Sequence, residues 1–462
     1  MKFPSRTDIV VIGAGPAGLA AACAASKHGA QVVLIDEQAT PGGQIYRNVT
    51  NSGPQIRSIL GDEYEYGTGL TSCTSRKQIK YCPKSTVIDI DNELNVTISN
   101  NNKLSQIKAG HIIIATGATE RPVPIPGWTL PGVMTVGAIQ ILIKSSSLVP
   151  SEAILVGSGP LLYLTAVQLI AAGKPPKALI ETQTIDNYFS ALPHLARAVR
   201  NYKQLSKGIS LINLIRKEGV QRFSASKDIN ILGDTSAESI TFSSGGVKHD
   251  INSDEIFLHQ GIIPSIQISK LLKLKHNWHP VQRYFYPDTD RYGVSSNNAI
   301  SVVGDGGGIF GAKSAEFSGQ ISALKVLQIL GFINKEVLEE SSEPLMIKRS
   351  KEESSRQFID ALYAPPSNIL NPKDEAIVCR CEELTAQEIR RHIHSGSVEV
   401  NQIKAQSRCG MGNCQGRYCG TTLAEIIAND SDDNSGKVSY FNIRMPIKHV
   451  SLKELADLSA VK

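Results

Sequence analysis

The hexapeptide Gly13-Ala14-Gly15-Pro16-Ala17-Gly18 constrains this chain more than any other feature. It stands between a Val/Ile-rich run, residues 8–13, and an alanine-rich stretch, residues 16–29; a second apolar run, 31–36, follows. Strand, glycine turn, helix and strand in this order open a parallel α/β sheet. Each glycine then has a mechanical task. Gly13 permits the tight turn, Gly15 lets a pyrophosphate approach the backbone, and Gly18 lets helix and strand pack closely, with Pro16 and Ala17 in the same turn. Asp36 ends the second strand 23 residues after Gly13, where a carboxylate can accept ribose hydroxyls, and Glu37 is the adjacent candidate.

The pattern restarts near residue 153. A strand, the turn Gly157-Ser158-Gly159-Pro160-Leu161-Leu162, a helix over 161–173 and a strand ending at Glu181 form a second unit of the same order. Leu162 occupies the third-glycine place and would hold helix and strand further apart. Gly157, Gly159 and Glu181 are the candidate contacts here. NAD, an adenine nucleotide in a non-redox role, or a vestigial fold all stay open, because a fold alone does not fix a ligand. Between the two units, residues 45–110 are polar and irregular, and the alternation in 86–91 and 94–99 predicts an antiparallel excursion. Later buried strands are expected over 255–258 and 299–303, with a hairpin around Ser243–Gly246.

At 462 residues, with 41% hydrophobic and 20% charged side chains, the chain calls for several ordinary globular domains. A net charge of +5 is weak over this length, and without a dense Lys/Arg stripe nucleic acid is not implied. No run reaches a membrane span, and the N-terminus lacks the apolar core of a secretory signal. A reducing, cytoplasmic setting is therefore expected.

Five of the eight cysteines fall between residues 379 and 419: Cys379 and Cys381 as C-x-C, then Cys409, Cys414 and Cys419 in a glycine-rich loop. Zinc ribbons prefer C-x2-C knuckles, whereas four thiolates suffice for a [2Fe–2S] cluster. The pairs are Cys379 with Cys381 and Cys414 with Cys419; the string Cys414-Gln415-Gly416-Arg417-Tyr418-Cys419 resembles the C-Q-G-x-x-C form of flavoprotein-fused bacterioferritin-associated-ferredoxin-like modules, which implies these four as the ligands and Cys409 as a spare. Met411 and Tyr418 are expected to pack around the site. Cys23, Cys73 and Cys82 are dispersed and read as structural. No C-x-x-C lies near the nucleotide turns, so a dithiol relay is not expected. His259 reads as a hydrogen-bonded turn residue, and the His276, Trp278, His279 trio as loop packing. No catalytic acid or base can be named.

Three further motifs accompany the first turn. Pro41-Gly42-Gly43-Gln44 can wrap the pyrophosphate, a strand ends in Ala115-Thr116-Gly117, and Gly304-Asp305 joins a late strand to a helix. In this order they resemble the FAD site of the glutathione-reductase/thioredoxin-reductase superfamily, which implies that Thr116, Gly117, Gly304 and Asp305 line the flavin site and that Val87 backs the adenine. The cysteine pattern resembles the bacterioferritin-associated-ferredoxin-like [2Fe–2S] module. The fold class implied is α/β: a flavoprotein with two dinucleotide-binding domains and a small helical C-terminal [2Fe–2S] domain.

More specifically, Asp36-Glu37-Gln38, the run Pro41–Arg47, Arg121-Pro122, Pro126-Gly127-Trp128, the second glycine turn and Cys379-Arg380-Cys381-Glu382-Glu383 resemble the FAD-binding large subunit of bacterial heteromeric amine dehydrogenases. That group includes opine oxidase, D-hydroxyproline dehydrogenase, dye-linked proline dehydrogenase and hydrogen cyanide synthase. The resemblance covers nearly the whole chain. It implies a subunit that holds FAD and passes electrons to the cluster and an external acceptor. The amine or imino acid would be oxidised on a separate sarcosine-oxidase-like FAD subunit, in some members alongside a small ferredoxin-like subunit. It also implies that some members hold an adenine nucleotide in the second domain. Two other readings stand beside it: a self-contained NAD(P)H-dependent flavoprotein reductase, and a non-catalytic nucleotide-binding scaffold. The expected division is a discontinuous FAD domain (1–145 and 255–335), a second nucleotide domain (146–254), a helix and linker (336–375), a [2Fe–2S] module (376–430) and a tail (431–462). Residues 430–437 read as a solvated loop, and the tail as ending in a short helix after Ser451.

Overall fold

The computed structural model describes residues 3–430 and 439–459; the predicted solvated loop lies, apart from Asp430, outside them. Two sheets carry the architecture. The first runs in the order 79–82, 32–35, 6–12, 103–114, 95–100, 85–90, with Ile300–Val302 also paired to the long strand Lys103–Ile114. That strand does two jobs. Its first half pairs antiparallel with Asn95–Asn100, and its second half runs parallel to Arg6–Ile12. The antiparallel excursion expected between residues 45 and 110 is thus an arm of the first sheet. Continuous Val/Ile runs such as Val10-Val11-Ile12 and Ile112-Ile113-Ile114 are buried, as strands covered on both faces require.

Helix Pro16–Lys27 covers one face and packs against Ala312–Ile329. Their approach is close: a Cβ on Gly319 would lie 2.0 Å from the Ala17 carbonyl oxygen. Within the same sheet, His111 is fully buried with Nε2 2.9 Å from Ser301 Oγ. Burial pushes its imidazole down to about 4. Between that value and the ordinary pKa near 6.5, the unfolded chain binds a proton that the folded chain resists. Stability therefore rises with pH through this window and is lost as pH falls, by up to about 3 kcal/mol. Denaturant titrations at pH 7 and pH 4.5 should show His111→Gln with the smaller loss.

The second sheet runs 221–223, 178–181, 154–158, 256–260, 133–135, all parallel. Here the structure differs from the expected boundaries. Val133–Thr135 and Ile256–Gln260 pair into this second sheet, not the first. Parallel pairing is decided by long-range packing, which the local pattern around residues 146 and 255 does not carry. An antiparallel three-stranded sheet, 227–232, 239–244 and 247–252, flanks it and contains the expected hairpin.

Residues 335–370 form the helices Lys335–Glu353, Arg356–Leu362 and Ser367–Leu370. The part expected to be linker is docked: Gln282 Nε2 donates to the Asp360 and Tyr363 carbonyls at 2.8 and 3.1 Å. The cysteine region follows, with helices Ala386–His394, Val400–Ser407 and Cys419–Asp430 around one apolar core. The tail ends in helix Leu452–Ser459. No helix among the described residues is long and apolar enough to cross a membrane.

Candidate functional site: a nucleotide cradle and a cysteine cluster

The four motif segments expected at the flavin site converge. Gly13 has φ +106°, and a Cβ there would sit 2.4 Å from the Ala115 carbonyl oxygen. A Cβ on Gly18 would lie 1.8 Å from the Gly13 oxygen, one on Gly43 2.7 Å from Gly15 Cα, and one on Gly304 2.7 Å from Ala17 Cβ. Gly42 N–H donates to the Ala14 carbonyl at 2.8 Å, and Gly306 approaches the Thr116 hydroxyl and the Gly117 backbone. Gly15 is less crowded: among the described residues beyond its chain neighbours, Gly43 Cα at 3.8 Å is the one atom within 4 Å of its Cβ position. The backbone there is open, which suits a pyrophosphate lying on the helix N-terminus.

Asp36 and Glu37 part company. Asp36 is buried, and its carboxylate accepts from the Ala14 N–H at 2.5 Å and the Gln38 N–H at 2.7 Å. Burial raises its carboxyl above the usual range. Asp36 thus ties the glycine turn to the second strand. Glu37 is the more exposed acid, paired with Lys448 at 3.0 Å. Either acid satisfies a rule about spacing; the structure sets Asp36 on the turn and Glu37 nearer the surface. Val87, expected behind an adenine, has its side chain in the core with Ile12 and Ile35. Asp305 fixes the turn before helix Ala312–Ile329, accepting from Phe310 N–H and Gly311 N–H at 2.9 and 3.0 Å, and burial raises its carboxyl too.

The Gln44–Arg47 loop is held by a residue that sequence reasoning missed. Lys144 is buried, and its Nζ donates to the Gln44 and Ile45 carbonyls at 3.1 and 2.9 Å and to Gln140 Oε1 at 3.2 Å. Burial pushes its ammonium down to about 7. Arg47 braces the same loop through Gln38 and Gln44. A lysine near a helix C-terminus reads as a surface residue, so nothing in the sequence flags Lys144.

In the second unit, Gly157 and Gly159 have positive φ, as a phosphate turn requires, but His259 stands against both. His259 is buried, with Nδ1 2.7 Å from Glu120 Oε1, as expected of a hydrogen-bonded residue. Glu181, expected to meet a ribose, turns inward. Its carboxylate accepts from Arg222 at 2.7 Å, Tyr163 at 2.6 Å and Gln183 at 3.3 Å. A paired, buried carboxylate has little left to offer a sugar. Removing one partner of such a pair strands the other's charge. Glu181→Ala should accordingly cost about 3 kcal/mol in denaturant unfolding and leave the flavin spectrum unchanged.

The cysteines form one connected group. The sulfurs of Cys379, Cys409 and Cys419 lie within 4.8 Å of one another, all buried. Cys414 touches Cys419 and Cys381, and Cys381 is exposed. Thiol contacts from Cys409 and Cys419 bring Cys379 down to about 2, while the contact with Cys379 raises Cys409. The expected spare is thus inside the group, because the loop 409–419 folds back over Cys379. Soft sulfurs gathered this closely fit an iron–sulfur cluster.

The walls of this group come partly from the tail. A Cβ on Gly410 or Gly416 would lie 2.5 or 2.4 Å from the Phe441 ring, and one on Gly420 2.6 Å from the Tyr440 ring. Gln415 Nε2 donates to the Pro446 carbonyl at 2.8 Å. Tyr440 and Phe441 were not singled out by sequence reasoning. Met411 and Tyr418, expected to pack here, are both exposed.

The module is fastened to the nucleotide domains. Trp128 Nε1 donates to the Ile377 carbonyl at 2.6 Å. Arg283 makes a two-pronged pair with the buried Glu425 at 2.8 and 2.7 Å, and buried Arg121 donates to the Arg283 carbonyl at 3.1 Å.

A double nucleotide-fold flavoprotein carrying a C-terminal iron–sulfur module is the class that this fold and these cysteines define. Residues 7–319 match the pyridine nucleotide-disulphide oxidoreductase family, and residues 377–429 match the BFD-like [2Fe-2S] binding domain. An opine oxidase subunit of Rhizobium meliloti is 40% identical, over 98% of this chain and 87% of its own length. Hydrogen cyanide synthase subunit HcnB of Pseudomonas aeruginosa is 29% identical, over 89% of this chain and 90% of its own. The fold matches the crystal structure of L-proline dehydrogenase from P. horikoshii with a TM-score of 0.71 at 18% identity, over 98% of this chain and 81% of that one. The chain belongs to the pyridine nucleotide-disulphide oxidoreductase family and, within it, to the group of these opine oxidase subunits. It is a flavin-dependent oxidoreductase chain whose cofactors are FAD and a [2Fe–2S] cluster, and its relatives are subunits of larger enzymes.

Proposed function

We propose that this chain is the electron-transferring large subunit of a heteromeric dehydrogenase for an amine or imino acid of the opine, proline or hydroxyproline type. The observation that carries this reading is the fastening of the cysteine module onto the nucleotide domains through Trp128 and Arg283. A docked module holds the two cofactor sites at one separation. When bound, FAD takes up two electrons and a [2Fe–2S] cluster passes them one at a time; the protein's part is position and electrostatics.

In this reading FAD lies along Gly13, Gly15, Pro16, Ala17 and Gly18, with Glu37 at the ribose. Gly42, Gly43, Gln44 and Arg47 form the covering loop, and Thr116, Gly117, Gly304 and Asp305 stand beside the flavin. Cys379, Cys381, Cys414 and Cys419 hold the cluster. Oxidation of the substrate falls to a sarcosine-oxidase-like FAD subunit, with an external acceptor, and a ferredoxin-like subunit in some assemblies. The setting is cytoplasmic.

Co-expression with the sarcosine-oxidase-like subunit, followed by dye reduction with opines, proline and hydroxyproline, tests the proposal. Substrate-dependent reduction that needs both chains supports it; a complex inert to all three classes overturns it. The reductase alternative is disfavoured by the engaged Glu181 and by His259 behind the second turn. Anaerobic NADH or NADPH should leave the flavin band of the isolated chain unbleached over minutes.

A further inference from the structure

The second unit carries an apolar seam that nothing in this chain covers among the described residues. Residues 185–217 are almost continuously helical, in short segments from Ile185–Ala191 to Tyr202–Lys217. Ile185, Tyr188, Leu192, Leu195, Val199 and Tyr202 recur at spacings of three and four, and each is between 40 and 64% exposed. The spacing sets them along one side of a segment that is α-helical over Ile185–Ala191 and Leu195–Ala198 and 3-10 over Leu192–His194 and Val199–Asn201, so the seam follows a chain of short turns. The opposite side is already used. Ala191 and Ala198 are buried there, and Asn187 and Arg197 bond to Ala361 and Gln357 of helix Arg356–Leu362. The seam is therefore a surplus apolar face on a helix already held in place. Continuous exposed apolar patches of this kind mark interaction sites.

Its charges specify the occupant. Between Asp186 and Glu218 the chain has no acidic residue and six Lys or Arg. The seam's C-terminal end opens into a cavity of about 620 Å³ whose cations are Arg200, Lys203, Lys313, Lys348 and Lys351. Its two carboxylates are already engaged, Glu316 by the Tyr66 hydroxyl at 3.0 Å and Glu352 by Asn201 at 3.3 Å. Self-pairing would bring two basic segments together, with no acidic residue between Asp186 and Glu218 on either to offset Arg197, Arg200 and Lys203, which is repulsive. A bilayer surface could lie on the seam but could not enter the cavity, where Arg200 and Lys203 are found.

We propose that this seam docks a helix of the companion subunit, one presenting an apolar face to the exposed side chains and carboxylates that enter the basic cavity. The proposal rests on the heteromeric reading above.

The test uses the full chain and its companion sarcosine-oxidase-like subunit, with two variants: Leu192→Asp/Leu195→Asp and Arg200→Glu/Lys203→Glu. Affinity is read by light scattering and sedimentation, and contact by hydrogen exchange. Both variants should weaken the complex at least about 30-fold, the loss expected of buried anchors. The wild-type complex should also weaken in about 0.5 M salt, because the paired charges are screened. Flavin and iron–sulfur spectra and Tm should match the wild type, and residues 185–203 should gain protection in the complex. If the wild-type complex forms and both variants bind within roughly threefold of it, the docking site is wrong and the heteromeric reading survives. If the wild-type chain binds no companion, both fall. If the seam variants lose only self-association, or only binding to phosphatidylcholine–phosphatidylglycerol vesicles, the occupant is a second copy or a membrane, and the proposal is overturned.

Discussion

Replacing Cys419 by serine should remove the iron–sulfur absorption and the low-temperature EPR signal of the reduced protein, and leave the flavin in place. Cys419 is buried at the centre of the group, in contact with Cys379, Cys409 and Cys414, so its loss breaks the group into two halves. Iron should fall from roughly two atoms per chain to near zero. The informative pair is Cys381→Ser and Cys409→Ser. The resemblance assigns the fourth ligand to Cys381, which is exposed; burial favours Cys409, which sits with Cys379 and Cys419. On the first assignment, Cys381→Ser loses the cluster and Cys409→Ser keeps it. Iron and sulfide analysis with EPR on both variants decides the matter, and the reverse pattern would move the fourth ligand to Cys409.

Gly15→Val should give a folded chain that has lost at least nine-tenths of its flavin, whereas Gly18→Ala should damage the fold itself. The difference lies in what each added carbon meets. At Gly15 the first carbon meets Gly43 Cα at 3.8 Å, so the chain tolerates it, and the valine methyls project where a pyrophosphate would lie. At Gly18 the first carbon lies 1.8 Å from the Gly13 oxygen. Strand and helix must then separate, at a cost of about 3 kcal/mol or more. Flavin released by heat denaturation, read beside the circular dichroism melt, separates the two. A Gly15→Val chain that retains full flavin would remove the glycine turn from the site.

Much of this was legible in the sequence because it depends on short-range sterics. A strand, a glycine turn and a helix can be read from residues 6–27, since Gly13 and Gly18 leave almost no other packing. The same is true of the cysteines as a set. What escaped depends on contacts between distant segments. The spacing rule is satisfied equally by Asp36 and Glu37, and only the two backbone N–H groups on Asp36 separate them. Glu181 looked available because Arg222 is 41 residues away. The second sheet borrows strands from either side of its expected limits, and parallel partners leave no local mark. Lys144 and the Tyr440–Phe441 pair are invisible for the same reason: each acts on a loop about 20 to 100 residues distant.

The two aromatic rings also impose an order of events during biosynthesis. Tyr440 and Phe441 fill the space left by Gly410, Gly416 and Gly420, yet they lie near the end of the chain and leave the ribosome after every cysteine. The thiol pocket has its final walls only once residues 440 and 441 have emerged. Metal loading would then wait for residues 440 and 441. A chain truncated before residue 439 should still colour yellow with flavin, yet fail to hold iron.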